Sequence, residues 1–278
     1  MAVGLRAKAF VLALGIWGLA AVPAFAADEA HVEEIMANGG CPGCELNLAE
    51  LRQLTLPHAD FTGAQLREAD MKHAVLPAAN FSEADLQRTE LERAQLSGAN
   101  FTRALMRNAD LEKSDIASGR FERADMRSVD LGEAVLTDAD FTRADMRGAY
   151  LRRADLTGAT FAEVKLDEAD LERTKAQGAD FSGARLPYAD LDRADARGAI
   201  FRGADMTGIR LSSADLTGAD LSGADLSRAH LHRTNFSGAD LSGVTGLTER
   251  RLARACGDAA TKLPEGFSVK PCSAAESQ

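Results

Sequence analysis

Apolar residues in this chain recur every five positions. From Cys44 to Gly243 a small residue is followed two positions later by a large apolar one without a slip, as in Ala59-Asp60-Phe61-Thr62-Gly63 and Ala219-Asp220-Leu221-Ser222-Gly223. The large position holds 23 Leu, 9 Phe, 5 Met, 1 Ile and 2 Ala, and never a polar residue, while the small one is Ala in 30 of 40 repeats, so burial sets the frame. The residue between them is Asp in 19 repeats and Asn in 3, so this position favours a short polar side chain without requiring one. An α-helix turning about 100° per residue would scatter a five-residue period around its barrel. A straight strand would flip every second large residue to the opposite face, because five is odd. A short extended segment followed by a corner solves both problems, and coiling such segments predicts a solenoid.

The phenylalanines set the length of one coil. Phe61, Phe81, Phe101, Phe121, Phe141, Phe161, Phe181 and Phe201 stand at large positions spaced by 20 residues. Four repeats per coil place all eight on one wall, where rings about 4.8 Å apart can stack. About ten such coils make a rod roughly 48 Å long by the same spacing. On another wall Ala176 and Ala196 occupy successive large positions, which predicts a local pinch or a weak segment.

These repeats resemble the pentapeptide-repeat family with its A(D/N)LXX consensus. The resemblance implies an all-β fold, a right-handed quadrilateral parallel β-helix, and it covers every repeat. It carries little about function, because one scaffold serves many roles. The terminal segments are also similar to flanks of secreted members of that family.

Residues 1–26 have the form of a signal peptide. Arg6 and Lys8 precede an apolar run over 9–22, Pro23 closes it, and Ala24-Phe25-Ala26 predicts cleavage before Ala27. The run is too short for a spanning helix of about 20 residues, so a periplasmic or secreted chain with no transmembrane segment is expected. The expected organisation is a signal at 1–26, an N-terminal helical cap at 27–43, the repeats at 44–243 and a C-terminal helix with a disulfide-tied cap at 244–278. The first cap is expected as a helix from Asp28 to Asn38, with Val32, Ile35 and Met36 on one side and Gly39-Gly40 as its stop. The second is expected over Thr248 to Ala255, capped by Thr248, with Leu252 inward.

The four cysteines are too few to build the scaffold. Cys256 and Cys272 enclose a short loop that an oxidising compartment would bridge. Cys41 and Cys44 form a CxxC without the context of a redox, zinc or haem site, so packing in the first coil is expected, with a local disulfide as an open alternative.

With 42 acidic against 32 basic residues the chain is not a general phosphate-seeking surface, and no nucleic-acid partner is expected. One stacked column runs Glu50, Asp70, Glu90, Asp110, Asp130, Tyr150, Asp170 and Asp190. It reads either as a ladder for divalent cations or as a solvated wall compensated by His73, Arg93, Lys113, Arg153, Arg173 and Arg193 two columns away, the second being favoured. Arg103, Arg123 and Arg143, with Arg107, Arg127 and Arg147 around the next corner, form the candidate binding site. Its ligand would be an anionic polymer, a lipid headgroup or an acidic protein surface. Ion pairing with Glu122, Asp125 and Asp145 explains the same residues without a ligand and is favoured. The five His show no metal spacing, and neither a catalytic constellation, a metal site nor a cofactor motif is found. The leading expectation is therefore a non-catalytic exported rod that binds a protein. Some pentapeptide-repeat proteins mimic DNA at topoisomerases, an alternative that the signal segment disfavours.

Overall fold

The computed structural model describes residues 32, 33 and 35–272; the signal segment, Asp28 and His31 lie outside the described residues. Each pentapeptide contributes one bridge residue and one tight turn. In the turn over 61–64 the Ala64 N–H donates to Phe61 O at 3.0 Å, and Gly63 at the third position has φ +65°. A turn of this kind needs positive φ at that position. Arg103, Arg123 and Arg143 adopt it too, at φ 59° to 61°, and the extended stack outweighs a cost of about 1–2 kcal/mol for each.

Where Asp or Asn precedes the large residue, it supports the same corner. Asp60 Oδ1 accepts the Thr62 N–H at 3.0 Å, Asn100 Oδ1 that of Thr102 at 3.1 Å, and Asp180 Oδ1 that of Ser182 at 2.8 Å. A short side-chain acceptor two residues before a donor is an Asx-type turn, which explains why Asp and Asn are favoured at this position.

Coils pair in parallel with a register of 20, through bridges such as Asp60↔Asn80, Gln65↔Asp85, Asp70↔Glu90 and Val75↔Gln95, one for each of four walls. Each repeat is stitched to the next coil by bonds such as Phe61 N to Asn80 O (2.7 Å), Gly63 N to Ser82 O (2.9 Å) and Asn80 N to Ala59 O (2.8 Å). The large and small positions point into the coil. Every large residue from Leu46 to Leu241 is buried except Leu56, which is partly so. Thr89, Ser114, Thr174 and Thr234 replace Ala inside, and each hydroxyl reaches a backbone carbonyl at 2.6 to 2.9 Å, so no buried donor is left open.

The eight phenylalanines form one column. Successive ring centroids lie 4.7 to 5.1 Å apart with planes within 9° of parallel. The ninth repeat-centre phenylalanine, Phe236, is buried on a different wall. At Ala176 and Ala196 the pairing is uninterrupted, so no pinch of the backbone accompanies the smaller side chains. Leu156 N to Lys175 O is 2.6 Å, Ala176 N to Asp195 O 2.7 Å and Ala196 N to Asp215 O 2.8 Å. Main-chain bonds to both neighbouring coils fix the spacing whatever the inner side chain. Since Leu156 fits the same frame one coil earlier, Ala176→Leu should raise the melting temperature in thermal unfolding. A fall would mean that neighbours already fill the space and the larger side chain overpacks it.

The ends differ from their expected forms. At the start, residues 32, 33 and 35–38 are helical and Ile35 is fully buried, but Met36 is exposed rather than part of the inner side. So short a helix can seat only a narrow stripe on the coil, and Val32 and Ile35 occupy it. Gly40 then joins the first coil so closely that a Cβ there would collide with the Asp60 backbone. At the other end the helix is only Glu249–Leu252, with Thr248 as its cap and Leu252 buried. Beyond it the chain continues the coil instead. Phe236 N donates to Cys256 O at 2.8 Å, Cys256 N to Thr234 O at 2.9 Å, Leu241 N to Lys262 O at 2.8 Å and Lys262 N to Ala239 O at 2.9 Å. Cys256–Gly257 also pairs in parallel with Lys270–Pro271. The final edge is thereby partly covered by strand-like chain, which satisfies donors that a helix laid across it would leave open.

Lys262 Nζ lies 2.8 Å from Asp240 Oδ2. That bond, with the Ser242 hydroxyl and N–H, pulls the Asp240 carboxyl down to about 2. A depressed folded value stabilises above the unfolded one, near 3.8, and the gain is lost as pH falls through about 2. Asp240→Asn should therefore melt below the parent protein at pH 5, and the gap should close as pH approaches 2. A gap independent of pH would show that the carboxylate charge contributes nothing.

Candidate functional site

The carboxylate ladder is built by the turns. Oδ1 of Asp70, Asp110, Asp130, Asp170 and Asp190 each accepts the N–H two residues on, at 2.9 to 3.2 Å. Compensation comes from nearer than expected. Arg52 pairs with Asp70 at 2.5 Å, Lys72 with Glu90 at 3.0 Å, Arg152 with Asp170 at 3.7 Å and Arg210 with Asp190 at 3.3 Å. Four of the six expected compensators serve the intervening column instead: Arg93 reaches Glu92, Lys113 reaches Glu112, and Arg173 and Arg193 both reach Glu172, while among the described residues His73 and Arg153 make no ion pair. The adjacent column is simply closer. Burial raises the Asp130 carboxyl, only partly offset by the Gly132 N–H, and burial likewise raises Asp190. Among the described residues no group of three or more His, Cys, Asp or Glu could hold a metal ion.

The six candidate arginines occupy two neighbouring columns. One column reads Glu83, Arg103, Arg123, Arg143, Glu163. Arg103 Nη1 is 3.4 Å from Glu83, and Arg143 grips Glu163 through Nε and Nη2 at 2.9 and 3.0 Å. Around the corner Arg107 and Arg127 share Asp125, at 2.7 and 2.8 Å. Arg147 holds Asp145 with two bonds of 2.8 and 2.7 Å. Burial raises the Asp145 carboxyl, but the Arg147 guanidinium outweighs it and holds it below the ordinary range. Glu122 turns to Arg120, at 3.2 Å. Among the described residues, therefore, Arg123 is the one of the six with no carboxylate. It lies in a surface groove of about 410 Å³ with Arg103, Arg143, Thr102 and Thr142.

Both cysteine pairs are bonded in the structure, with Cα atoms 5.5 Å apart for Cys41–Cys44 and 4.8 Å apart for Cys256–Cys272. A second basic recess, which the repeat frame does not point to, lies at the C-terminal end and gathers Arg228, His230, His232, Arg250, Arg251 and Arg254. The available signal was composition: Glu249 is the one acidic residue between Ser242 and Cys256.

An unbroken four-walled parallel coil with a tight turn closing each repeat, supported in many of them by an Asx bond, defines a class of β-solenoid. The pentapeptide-repeat family model matches in 8 copies between residues 44 and 245, the first over 44–82 and the last over 209–245. The chain belongs to the pentapeptide-repeat family.

Among solved structures it is similar to HetL, a pentapeptide repeat protein involved in heterocyst differentiation regulation from the cyanobacterium Nostoc. The identity is 28%, over 86% of this chain and 98% of that one, with a TM-score of 0.45. A pentapeptide repeat protein from the Arabidopsis thaliana thylakoid lumen is 32% identical over 35% of this chain and 65% of its own, with a TM-score of 0.27. A plasmid-mediated fluoroquinolone resistance protein is 22% identical over 76% and 90%, with a TM-score of 0.32. No curated protein matches the sequence. The family match carries the assignment, and these superpositions do not add to it.

Proposed function

We propose that the protein is an exported, non-catalytic rod that presents a wall to a protein partner. The observation that carries this reading is the repetition of the surface. Each outer position is set by the same turn and most charges are taken up by a neighbour on the next column or coil, so the walls form an array suited to an extended contact rather than a cleft suited to turnover. The right hand and square section of the coil follow from family membership. Export rests on the segment at 1–26. Among the described residues no helix is long and apolar enough to cross a membrane. A DNA-like surface has less support, because arginines interleave with the carboxylates along the walls.

Fractionation with N-terminal sequencing tests the reading. A chain beginning at Ala27 in the periplasmic or secreted fraction is the expected result. An uncleaved chain resident in the cytoplasm would overturn export and restore mimicry of DNA to consideration.

A further inference from the structure

Most arginines along the walls have a carboxylate partner, and most of those without one gather at one end. Apart from Arg123 and Arg153, the described arginines without a carboxylate at ion-pair distance are Arg228, Arg233, Arg250, Arg251 and Arg254. Four of these five line the C-terminal recess, of about 370 Å³, with His230 and His232 beside them. Their hydrogen bonds go to neutral groups: Arg251 Nη1 donates to Gly246 O at 2.6 Å, and Arg228 Nη1 meets Tyr188 Oη at 3.5 Å. Glu249 is exposed and makes no ion pair. No acidic side chain lines the recess.

The fold holds these cations together. Arg228, His230 and His232 stand on the last coil, and the buried Leu252 fixes the short helix that carries Arg250 and Arg251. Arg233 N donates to Arg254 O at 2.8 Å, tying the helix exit to that coil. The acidic ladder stops one coil earlier, where Arg210 is engaged by Asp190 and Asp192. Guanidiniums held around one recess repel each other, and an acidic protein has carboxylates to spare for neutralising them; here it places none. Their planar forks match a tetrahedral oxyanion better than they match any group present.

We infer that this recess binds a phosphoryl group, supplied by a soluble phosphate compound or by a lipid headgroup. This goes beyond the protein-binding rod proposed above and does not depend on it. Calorimetric titration of the full chain with pyrophosphate at low ionic strength reads the first source. Flotation with phosphatidylcholine vesicles containing phosphatidylglycerol reads the second.

Removing two charge-assisted bonds by Arg228→Gln with Arg254→Gln should weaken binding by about tenfold or more. Arg67→Gln with Arg88→Gln, both paired with carboxylates toward the other end of the rod, should leave it unchanged. Unfolding temperatures matching the parent show that the variants are folded, and Arg250→Gln, on an exposed side chain, replaces the pair if they are not. Binding of vesicles alone with the same sensitivity assigns the site to a headgroup. Three results overturn the inference: binding of neither probe, equal loss in both double variants, or salt-sensitive self-association that the recess variant loses while pyrophosphate never binds. The last would mean that the recess takes the acidic N-terminal end of a second copy, where no Lys or Arg occurs between Lys8 and Arg52.

Discussion

Phe141→Ala is expected to destabilise the rod by about 3–5 kcal/mol, read as a lower midpoint in urea unfolding. Phe141 is fully buried, with Phe121 and Phe161 each 4.7 Å away in near-parallel planes. The loss combines the buried area of one ring with two stacked contacts. The gap cannot close easily, because Phe141 N to Thr160 O (2.8 Å) and Ala144 N to Phe141 O (2.9 Å) hold the coil to its neighbour and to its own turn. Phe201→Ala, with one ring neighbour in Phe181 at 4.9 Å, should cost less. Equal losses at the two positions would show that stacking adds nothing to burial, and a loss under about 1 kcal/mol at Phe141 would show that the column collapses into the void.

Cys272→Ser should cost about 3 kcal/mol by the loop-entropy model, and the damage should be local. The bridge to Cys256 holds the chain whose carbonyls at Cys256 and Lys262 receive Phe236 N and Leu241 N. A solenoid contacts only its neighbours, so its stability is distributed by coil and its ends open first. Hydrogen exchange should quicken at Phe236 and Leu241 while amides of the central coils, such as Phe141 N, keep their protection. Uniform loss along the rod would show that unfolding is all-or-none and that the cap governs the whole molecule.

The repeat frame was legible because its cause is local and recurs. Small and large apolar residues two apart, five-residue corners and the 20-residue spacing of Phe each repeat many times, so a chance residue cannot hide the period. The helix at Glu249–Leu252 was legible from Thr248 and Leu252, but not its length. A chain that leaves a solenoid can form hydrogen bonds on the open edge, and that competes with the next turn of helix. Met36 was misplaced for a related reason. A hydrophobic residue in a short helix faces inward only if the surface beneath is wide enough to receive it.

The site was legible in part. Arg103, Arg123 and Arg143 were placed on one wall by counting alone. That Arg103 turns to Glu83 and Arg143 to Glu163, while Glu122 turns to Arg120 and leaves Arg123 unpaired, depends on how side chains choose among the carboxylates within reach. Surface ion pairs are worth about 0–1 kcal/mol each, so small differences in reach decide between partners. The ladder shows the same effect, with Arg93 and Arg173 drawn to Glu92 and Glu172 rather than to the stacked aspartates.

By itself the sequence determined the period, the coil length, the inward and outward faces and the phenylalanine column, because burying apolar side chains is worth far more than any competing local choice. The tertiary structure alone decided the pairing of outer charges, the strand-like closure by Cys256 and Lys262, and the basic recess. The frame ends at Gly243, so nothing periodic relates Arg250 and Arg254 to Arg228 and His230. Only the folding of the tail back over the last coil brings them together.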